Sequence, residues 1–374
     1  MGIQQFNDNL MKLSCTQENL ASGLNLVSPI ASKGGSLPIL QNILLEARDG
    51  SLMLRATNLE IGVTAHVRGK IEQEGTFTVN GRLFHDYVGL LSSDKIDIEV
   101  EEEHLQIRSG NQQTKIHGLS SEEFPVIPSM DGGSSLTLEA AEIHEALGQV
   151  LFAVSASDTR PEISGVFLKF ENDVLTMVGT DSYRLTERKI KCKTSVEKPI
   201  ETIVPLRTMQ ELARILGASE GELGVMVSES QILFSVGEVE LVSRLVVGNF
   251  PDYKQIIPSA VKTTVALDKE PLSRAIKSAS LFCRAGLNHV SLQFSSDKIL
   301  VSASASQVGE NTIEVPAKIE GSDVDIVFDY RFLLDGLSAL RGSEVIIKLD
   351  GSASPGVFIS KEEGYLYLVM PIKQ

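Results

Sequence analysis

The chain has 374 residues, of which 42% are apolar and 22% charged, so its composition is that of a globular protein rather than a disordered or fibrous one. At about 100–200 residues per domain, this length predicts two to four domains. There are 34 Lys and Arg against 49 Asp and Glu, a net charge of −15, which by itself disfavours a protein that grips nucleic acid from free solution.

The chain shows no sign of a membrane or secretory segment. No apolar run reaches the roughly 18 residues that a membrane span needs, and the opening MGIQQFNDNL lacks the basic and apolar regions of a secretory signal. Cys15, Cys192 and Cys283 lie far apart and suggest no disulfide framework. We therefore expect a reduced, cytoplasmic protein without a membrane partner.

Three segments share one pattern: a short extended stretch, a polar helix start, and apolar residues at helical spacing. They begin at Leu13, Leu136 and Val265, and their separations of 123 and 129 residues are far above a solenoid period. Each segment therefore opens a whole repeated domain. A hairpin pattern follows in each copy, with turns predicted at Asp49-Gly50, near Asn172-Asp173 and near Ser296-Asp297.

The second half of each repeat also has one pattern, a strand, a helix and further strands, in which residues such as Ile96 and Ile98 share a face. The fold class predicted from two helices and about eight strands per repeat is α+β, with three similar domains. The six predicted helices are 17–27, 82–91, 139–152, 206–216, 271–284 and 330–341. Proline-containing linkers at Ser121–Ser135 and Phe250–Thr263 divide the chain into three domains, of which the second is 129–257 and the third 258–374.

Catalytic and metal-binding patterns are missing from the sequence. Neither a GxxxxGK[ST] nor a GxGxxG phosphate loop occurs, and His144-Glu145 lacks the second His of a zinc-protease motif because Gly148 occupies its position. The G-x-S-x-G match at Gly217–Gly221 follows a predicted helix and precedes a strand, the reverse of a nucleophile elbow, so we interpret it as a turn. No His pair has metal-ligand spacing, and the acidic run Glu99–Glu103 fits a solvated face. The prediction is a non-enzyme that needs no cofactor or metal.

Charge is distributed unevenly along the chain. The six predicted helices are close to neutral, whereas the strands and loops hold the excess of acidic residues. A helix-lined surface facing phosphate would have this distribution, but Arg and Lys also simply suit helices, and charge alone leaves both interpretations open.

Several stretches, in order and at matching spacing, resemble the β sliding clamps of bacterial DNA polymerase III. The resemblance runs from Met11 to Gln374 and rests on SLPILQNILLEA, TNLE, RSG…EEFP, GTDSYRLT, FPDY and YLYLVMPIKQ. Residues 1–10 lie outside it, so it implies an N-terminal extension at 1–10 and a first domain at 11–128. It implies a ring-shaped head-to-tail homodimer, with helices inside and antiparallel sheets outside. Such a ring encircles double-stranded DNA without sequence specificity. It also tethers the replicative polymerase, the clamp loader and repair proteins through short linear motifs.

Helix dimensions favour two chains in such a ring. Six helices about 10 Å across leave a hole of about 9 Å, whereas twelve leave about 28 Å, enough for a duplex about 20 Å wide. A ring holds DNA by topology and needs only weak phosphate contacts, which answers the objection from net charge. A head-to-tail contact that closes after two copies also gives a ring rather than a fibre.

Three sets of site residues follow, and the resemblance supports Arg82, Arg207 and Arg214 best among the DNA contacts. The DNA-contact candidates, on helices and two loops, are Lys33, Arg82, Arg160, Arg207, Arg214, Arg274, Lys277, Arg331 and Arg341. The implied partner-peptide pocket comprises Ile163, Thr180, Ser182, Tyr183, Arg184, Leu185, Pro251, Gln255, Ile256, Leu368, Val369, Met370, Pro371, Ile372 and Lys373. The implied dimer interface comprises Ile116, Leu281 and Phe282.

The sequence departs from the family at the pocket. Ser182-Tyr183 replace a frequent Gly-His pair and Gln255 replaces a basic residue, so the peptide preference is expected to differ in detail. The apolar tail around Pro371 also fits an ordinary closing edge strand, and helix-core packing would equally explain Leu281 and Phe282. Two rival functions stay open: a monomeric interaction scaffold without DNA, and an enzyme with a cleft between domains.

Overall fold

The computed structural model describes residues 11–31, 37–130, 132–157, 159–284, 286–361 and 364–373. Two compact units are present, one formed by residues up to 141 together with 214–245, the other by 142–213 together with 246–374. Within the described ranges, no helix is both long and apolar enough to cross a bilayer.

The elements recur in similar order along the chain, as the repeats predict. The first stretch contains β1 (Lys12–Thr16), α1 (Gln17–Val27), β2 (Asn42–Arg48), β3 (Ser51–Thr57), β4 (Ile61–Val67), β5 (Gly69–Gln73), β6 (Gly75–Asn80), α2 (Gly81–Gly89), β7 (Lys95–Glu101), β8 (His104–Ser109) and β9 (Gln112–Leu119). The second contains β10 (Ser134–Glu139), α3 (Ala140–Val150), β11 (Gly165–Thr180), β12 (Arg184–Pro205), α4 (Leu206–Leu216), β13 (Glu222–Val227), β14 (Gln231–Val236) and β15 (Val239–Arg244). The third contains β16 (Thr263–Asp268), α5 (Lys269–Ser280), β17 (His289–Ser295), β18 (Lys298–Ala305), β19 (Gly309–Pro316), β20 (Lys318–Gly321), β21 (Val324–Asp329), α6 (Tyr330–Ala339), β22 (Glu344–Leu349), β23 (Gly356–Ile359) and β24 (Tyr365–Val369).

Antiparallel sheets form the framework of each unit. In the first unit one sheet has the order β10-β13-β14-β15-β4-β3-β2-β6-β9-β8-β7-β1-β5. The second unit has one sheet of order β11-β12-β24-β23-β22-β16-β20 and another of order β19-β18-β17-β21. Alternation along the strands matches their two faces: Ile96, Ile98 and Val100 of β7 are buried, and the residues between them are not.

Strand pairing explains why the compact units do not coincide with the predicted repeats. In the first unit β4 pairs antiparallel with β15, so two repeats share one sheet. In the second unit β12 pairs in the same way with β24. Contacts across each predicted boundary are therefore as regular as contacts within a repeat.

The predicted hairpin turns fall at residues with left-handed backbone. Asp49 and Gly50 have φ of 51° and 75°, and Ser296 has φ of 55°, which confirms the first and third turns between paired strands. In the second copy the extended chain of β11 is irregularly paired around Asn172, whose φ is 55°. The same local signal therefore lies at the predicted position in all three copies.

Helix starts follow directly from strand ends that carry capping residues. Thr16 and Asn80 each accept a hydrogen bond from the backbone N–H three residues later, at 3.2 and 3.0 Å, and Asp329 accepts from the N–H two residues later, at 2.9 Å. Such caps contribute about 1 kcal/mol each. The predicted windows for α1 and α4 are confirmed to the residue.

Four predicted helices end too late. The window 271–284 overshoots most, because α5 ends at Ser280 and the N–H of its C-cap residue, Leu281, donates back to the Ser278 carbonyl at 3.3 Å. The window 139–152 runs into a separate 3₁₀ turn at Leu151–Ala153. Apolar spacing continues past the true helix end in these places, so Arg284 and Arg341 lie beyond the helices to which their charge was assigned.

Candidate functional site

An apolar cluster covers one face of the sheet that contains β12 and β24. Successive residues of a strand face opposite sides, so Tyr367 packs under α6 while Leu368 points to the other face. Leu185 of β12 lies directly opposite Leu368 of β24. The cluster has a buried base of Phe167, Val178, Leu185, Ile203, Tyr253, Val357 and Leu368, and a partly exposed rim of Val246, Phe250, Ile257, Ile359, Leu366 and Met370.

The chain crosses this face at the predicted second linker. Phe250 stacks on Phe167 with ring centroids 4.8 Å apart, and a 3₁₀ turn follows at Tyr253–Ile256. The Tyr253 hydroxyl donates to the Glu187 carboxylate at 2.5 Å. Burial and this neighbouring carboxylate raise the pKa of Tyr253, so the hydroxyl stays a donor and anchors the turn.

The loop between β11 and β12 forms another edge of the cluster. Ser182 is left-handed, with φ of 79°, and its hydroxyl accepts from Arg160 Nη1 at 2.8 Å. Asp181 Oδ1 accepts the N–H groups of Tyr183 and Arg184 at 2.9 and 3.0 Å. The loop thereby presents the Tyr183 side chain, which is 65% exposed, to solvent.

Arg184 is held on the opposite face and does not line the cluster. Its guanidinium lies 4.5 Å from the ring centroid of Phe332 and 5.3 Å from that of Phe152. It also pairs with Asp181 at 2.9 Å and Asp335 at 2.6 Å. Arg184 therefore positions the loop from below rather than offering a group to a ligand.

The C-terminal tail divides at its proline. The Met370 N–H donates to the Tyr183 carbonyl at 2.8 Å, which keeps Met370 on the rim of the cluster. The Ile372 N–H donates instead to Val327 of β21 at 2.8 Å. Pro371 has no N–H, so the ladder stops there and the tail changes sheets.

The structure therefore brings together part of the predicted pocket. Thr180, Ser182, Tyr183, Leu185, Leu368 and Met370 lie on the loop and strands of the cluster, and Pro251, Gln255 and Ile256 belong to the linker segment that crosses it. Val369 faces the core with Arg184, Ile163 is buried in a 3₁₀ turn, and Ile372 and Lys373 follow β21. The residues of the cluster that the sequence did not predict include Phe167, Phe250, Tyr253 and Leu366. The sequence nevertheless carries a signal for three of them, because FPDY contains Phe250 and Tyr253 and the alternation of β24 marks Leu366.

The predicted DNA-contact residues differ in how strongly the protein engages them. Arg82 and Arg274 are exposed, and within the described part of the chain their ion pairs are i,i+4 pairs, at 3.6 Å with Asp86 and 3.3 Å with Glu270. Arg207 and Lys277 are exposed on α4 and α5. The predicted candidate Lys33 lies outside the described residues.

The other predicted DNA-contact residues make internal contacts. Arg214 donates to the Asn25 and Leu26 carbonyls at 2.9 and 2.7 Å, which satisfies the C-terminal end of α1. Arg331 binds Asp329 at the start of α6. Arg341 pairs with Glu145, and Arg160 pairs with Glu162 at 3.1 Å.

The predicted interface residues occupy two different environments. Leu281 is 74% exposed at the end of α5, and the Phe282 ring lies 3.8 Å from where a Cβ on Gly309 of β19 would be. Ile116 of β9 is only 4% exposed.

The structure also places the G-x-S-x-G segment and the three cysteines. Gly217–Gly221 is confirmed as a turn between α4 and β13, and Ser219 Oγ donates to the Ile215 carbonyl at 2.8 Å. The three cysteines are free, and burial together with Asp97 raises the pKa of Cys15 to about 12. Across the described ranges, no group of three His, Cys, Asp or Glu is arranged to hold a metal ion.

Sequence models of the DNA polymerase III beta subunit match nearly the whole chain. The N-terminal domain matches residues 11–128, the central domain 137–252 and the C-terminal domain 254–373. The beta sliding clamp of Synechococcus elongatus is 30% identical over 374 residues, which cover 97% of this chain and 99% of the relative. The chain belongs to the β sliding clamp family.

Solved sliding clamps share this fold. A crystal structure of the DNA polymerase sliding clamp from Bacillus subtilis has a TM-score of 0.94 at 28% identity, covering 97% of this chain and 99% of that one. The DnaN sliding clamp from Pseudomonas aeruginosa, solved bound to griselimycin, has a TM-score of 0.93 at 27% identity, covering 97% and 100%. The predicted α+β clamp fold and the predicted function as a DNA sliding clamp are confirmed by this membership.

Proposed function

We propose that two copies of this chain close head to tail around double-stranded DNA and hold replication and repair proteins at the apolar cluster. In this role the chain catalyses no reaction, needs no cofactor and acts in the cytoplasm. Its functional division is an extension at 1–10 followed by clamp domains at 11–128, 129–257 and 258–374, to which the three family matches give support.

A repeated strand pair carries the ring proposal. β4 pairs with β15, and the first part of β12 pairs with β24. The third counterpart, β19, pairs with β18 on one side and with no strand among the described residues on the other. The matching counterpart of β15 and β24 is β9, whose second edge meets β6 only at Gly118 and Leu119. Repeating the pair between protomers joins β19 to β9 of a second copy and closes both edges.

The register of this pair follows from the two pairs within the chain. Gly62 faces Val242, and Leu185 faces Leu368. Positions in each copy are counted from the hairpin turn that precedes the strand. By this count Gly309 takes the place of Gly62 and Leu185, and Lys115 takes the place of Val242 and Leu368. Gly309 of one protomer therefore faces Lys115 of the partner subunit. Because Phe282 lies beside Gly309, this register sets Phe282 against the neighbourhood of the partner's Ile116.

The DNA proposal distinguishes exposed basic residues from those that already bind other groups of the protein. Replacing both Arg207 and Lys277 with Ala is expected to weaken the binding of linear duplex DNA. The slope of log affinity against log salt concentration should also become shallower by about 2, because each lost phosphate contact contributes about 0.9 to it. Arg214→Ala is expected to lower stability by about 1 kcal/mol, because it removes two hydrogen bonds to carbonyls at the end of α1, with little change in the slope. Fluorescence anisotropy across a salt series measures the slope. A slope that falls in Arg214→Ala and stays constant in the double variant would reverse this assignment.

The peptide proposal predicts a specific loss at the rim of the cluster. A fluorescent peptide with a Gln-Leu-x-Leu-Phe motif is expected to bind saturably at micromolar concentration. Met370→Ala is expected to weaken it about tenfold, because truncation removes apolar contact from the rim. Met226→Ala, on β13 of the first unit, is the matched control and should leave binding unchanged. Equal losses in both variants, or no binding to folded wild-type protein, would contradict the proposal.

A further inference from the structure

The loop bordering the apolar cluster, residues 180–184, has a counterpart in the first unit at residues 57–61. The third residue of each loop is left-handed, Leu59 with φ of 78° and Ser182 with φ of 79°. In both loops the leading threonine hydroxyl donates to the carbonyl four residues later, at 2.9 Å from Thr57 and 2.7 Å from Thr180. The two segments therefore share one backbone structure.

Side-chain hydrogen bonds extend the match. Asn58 Oδ1 accepts the N–H groups two and three residues further on, at 3.0 and 2.8 Å. Asp181 Oδ1 accepts the equivalent pair at 2.9 and 3.0 Å. The same turn chemistry thus builds both loops from different residues.

The strands beside the loops match as well. Gly62 faces Val242 in the first unit, as Leu185 faces Leu368 in the second. At the end of β15, the Arg244 N–H donates to the Glu60 carbonyl at 3.1 Å, in the place of the bond from Met370 to Tyr183. Arg244 therefore occupies the position that corresponds to Met370.

In the first unit, a linker residue supplies the apolar floor beneath the loop. Gly62 lacks the side chain that Leu185 supplies, but Ile127 Cγ2 lies 2.7 Å from where a Cβ on Gly62 would be. Val242 Cγ1 lies 3.1 Å from the same point. An apolar floor is therefore present in both copies.

Above this floor lies a cavity of about 100 Å³, whose apolar side is lined by Leu59, Pro125, Val126 and Ile127 and whose polar side is lined by Glu60, Gln231, Ser243 and Arg244. Val126 is 91% exposed and Leu59 45% exposed. The Arg244 guanidinium is exposed and has no ion-pair partner among the described residues. The volume is about two thirds of the roughly 150 Å³ of an apolar cavity that binds benzene, which suits one aliphatic side chain.

We propose that this cavity, the Leu59–Val126 cavity, is a second peptide site that takes one aliphatic side chain of an extended partner segment and pairs Arg244 with a neighbouring carboxylate. The inference rests on the proposed function, because it assumes that the matching loop and strands of the second unit bind a linear motif. It is the weaker anchor of the two, because Gly62 stands where the second unit has Leu185 and Arg244 stands where it has Met370, which leaves less apolar surface for a ligand.

The test counts the sites by equilibrium dialysis with the peptide acetyl-Gln-Leu-Asp-Leu-Phe, taken to millimolar concentration. Wild-type protein is expected to bind two equivalents per chain, the second at least tenfold more weakly. Met370→Ala should weaken the tight site and keep the weak one. Val126→Asp and Arg244→Glu should each weaken the weak site at least tenfold and keep the tight one. Leu90→Asp, another exposed apolar residue, controls for added charge.

The outcomes separate the two proposals. One equivalent per chain, weakened by Met370→Ala, overturns the second site and supports the proposed function. A weak site that persists unchanged in both Val126→Asp and Arg244→Glu also overturns the inference. If wild-type protein shows no tight site, the proposed function is contradicted and the inference falls with it.

Discussion

Replacing Leu281 with Asp is expected to convert the protein from a dimer into a species of 40.6 kDa. Leu281 is 74% exposed beside Phe282, next to the open edge of β19. In the proposed ring this surface is covered by β9 of the second copy, and burying an unpaired carboxylate there costs several kcal/mol. A ring of two copies has two such interfaces, so the penalty is counted twice.

Sedimentation equilibrium distinguishes the two states by mass, and retention on closed circular DNA tests the ring itself. Wild-type protein should be retained on closed circles after loading and lost when they are linearised, whereas the Leu281→Asp protein should not be retained. Leu90→Asp places the same charge on an 80% exposed leucine of the first unit and should leave the dimer intact. A Leu281→Asp protein that still has twice the chain mass would argue against this interface.

Gly336→Ala is expected to lower the free energy of unfolding of the second unit by about 3 kcal/mol. A Cβ on Gly336 of α6 would overlap the ring of Tyr367. That ring is 1% exposed, its hydroxyl donates to the Phe332 carbonyl at 2.8 Å, and it packs against Phe358. It therefore has little room to move, and α6 would be pushed off the sheet.

Gly148→Ala is the matched control, because it is also a helical glycine but has nothing within 4 Å of its Cβ position. It is expected to raise stability by up to about 1 kcal/mol through helix propensity. Urea denaturation followed by circular dichroism measures both variants. If the two have the same effect, the contact with Tyr367 does not limit the packing of α6.

Local signals explain which parts of the fold sequence reasoning predicts well. The windows of α1 and α4 are correct because apolar spacing begins immediately after a strand end and stops at a turn. The turn at Asp49-Gly50 is correct because its backbone requirement is met by neighbouring residues alone. Helix ends are harder to place, as α5 shows, because apolar residues continue into the following turn.

Long-range contacts explain what was missed in the site. Alternation along β12 does not reveal that Arg184 faces inward, since its partners Asp335 and Phe332 come from a helix about 150 residues away. The bond from Tyr253 to Glu187 likewise joins distant segments. In the first unit, Gly62 and Ile127 together take the place that Leu185 fills in the second unit. This correspondence is visible only when the two loops are compared in space.

The open edges also bear on how newly made chains select each other. An unpaired edge strand can add to any other, including its own copy. Antiparallel self-pairing of β19 centred on Thr312 would place Glu310 opposite Glu314, and like charges facing each other across strands are unfavourable. Pairing with β9 instead brings this acidic strand against one that carries Lys115. The edge thus discourages head-to-head association during assembly and favours the head-to-tail arrangement.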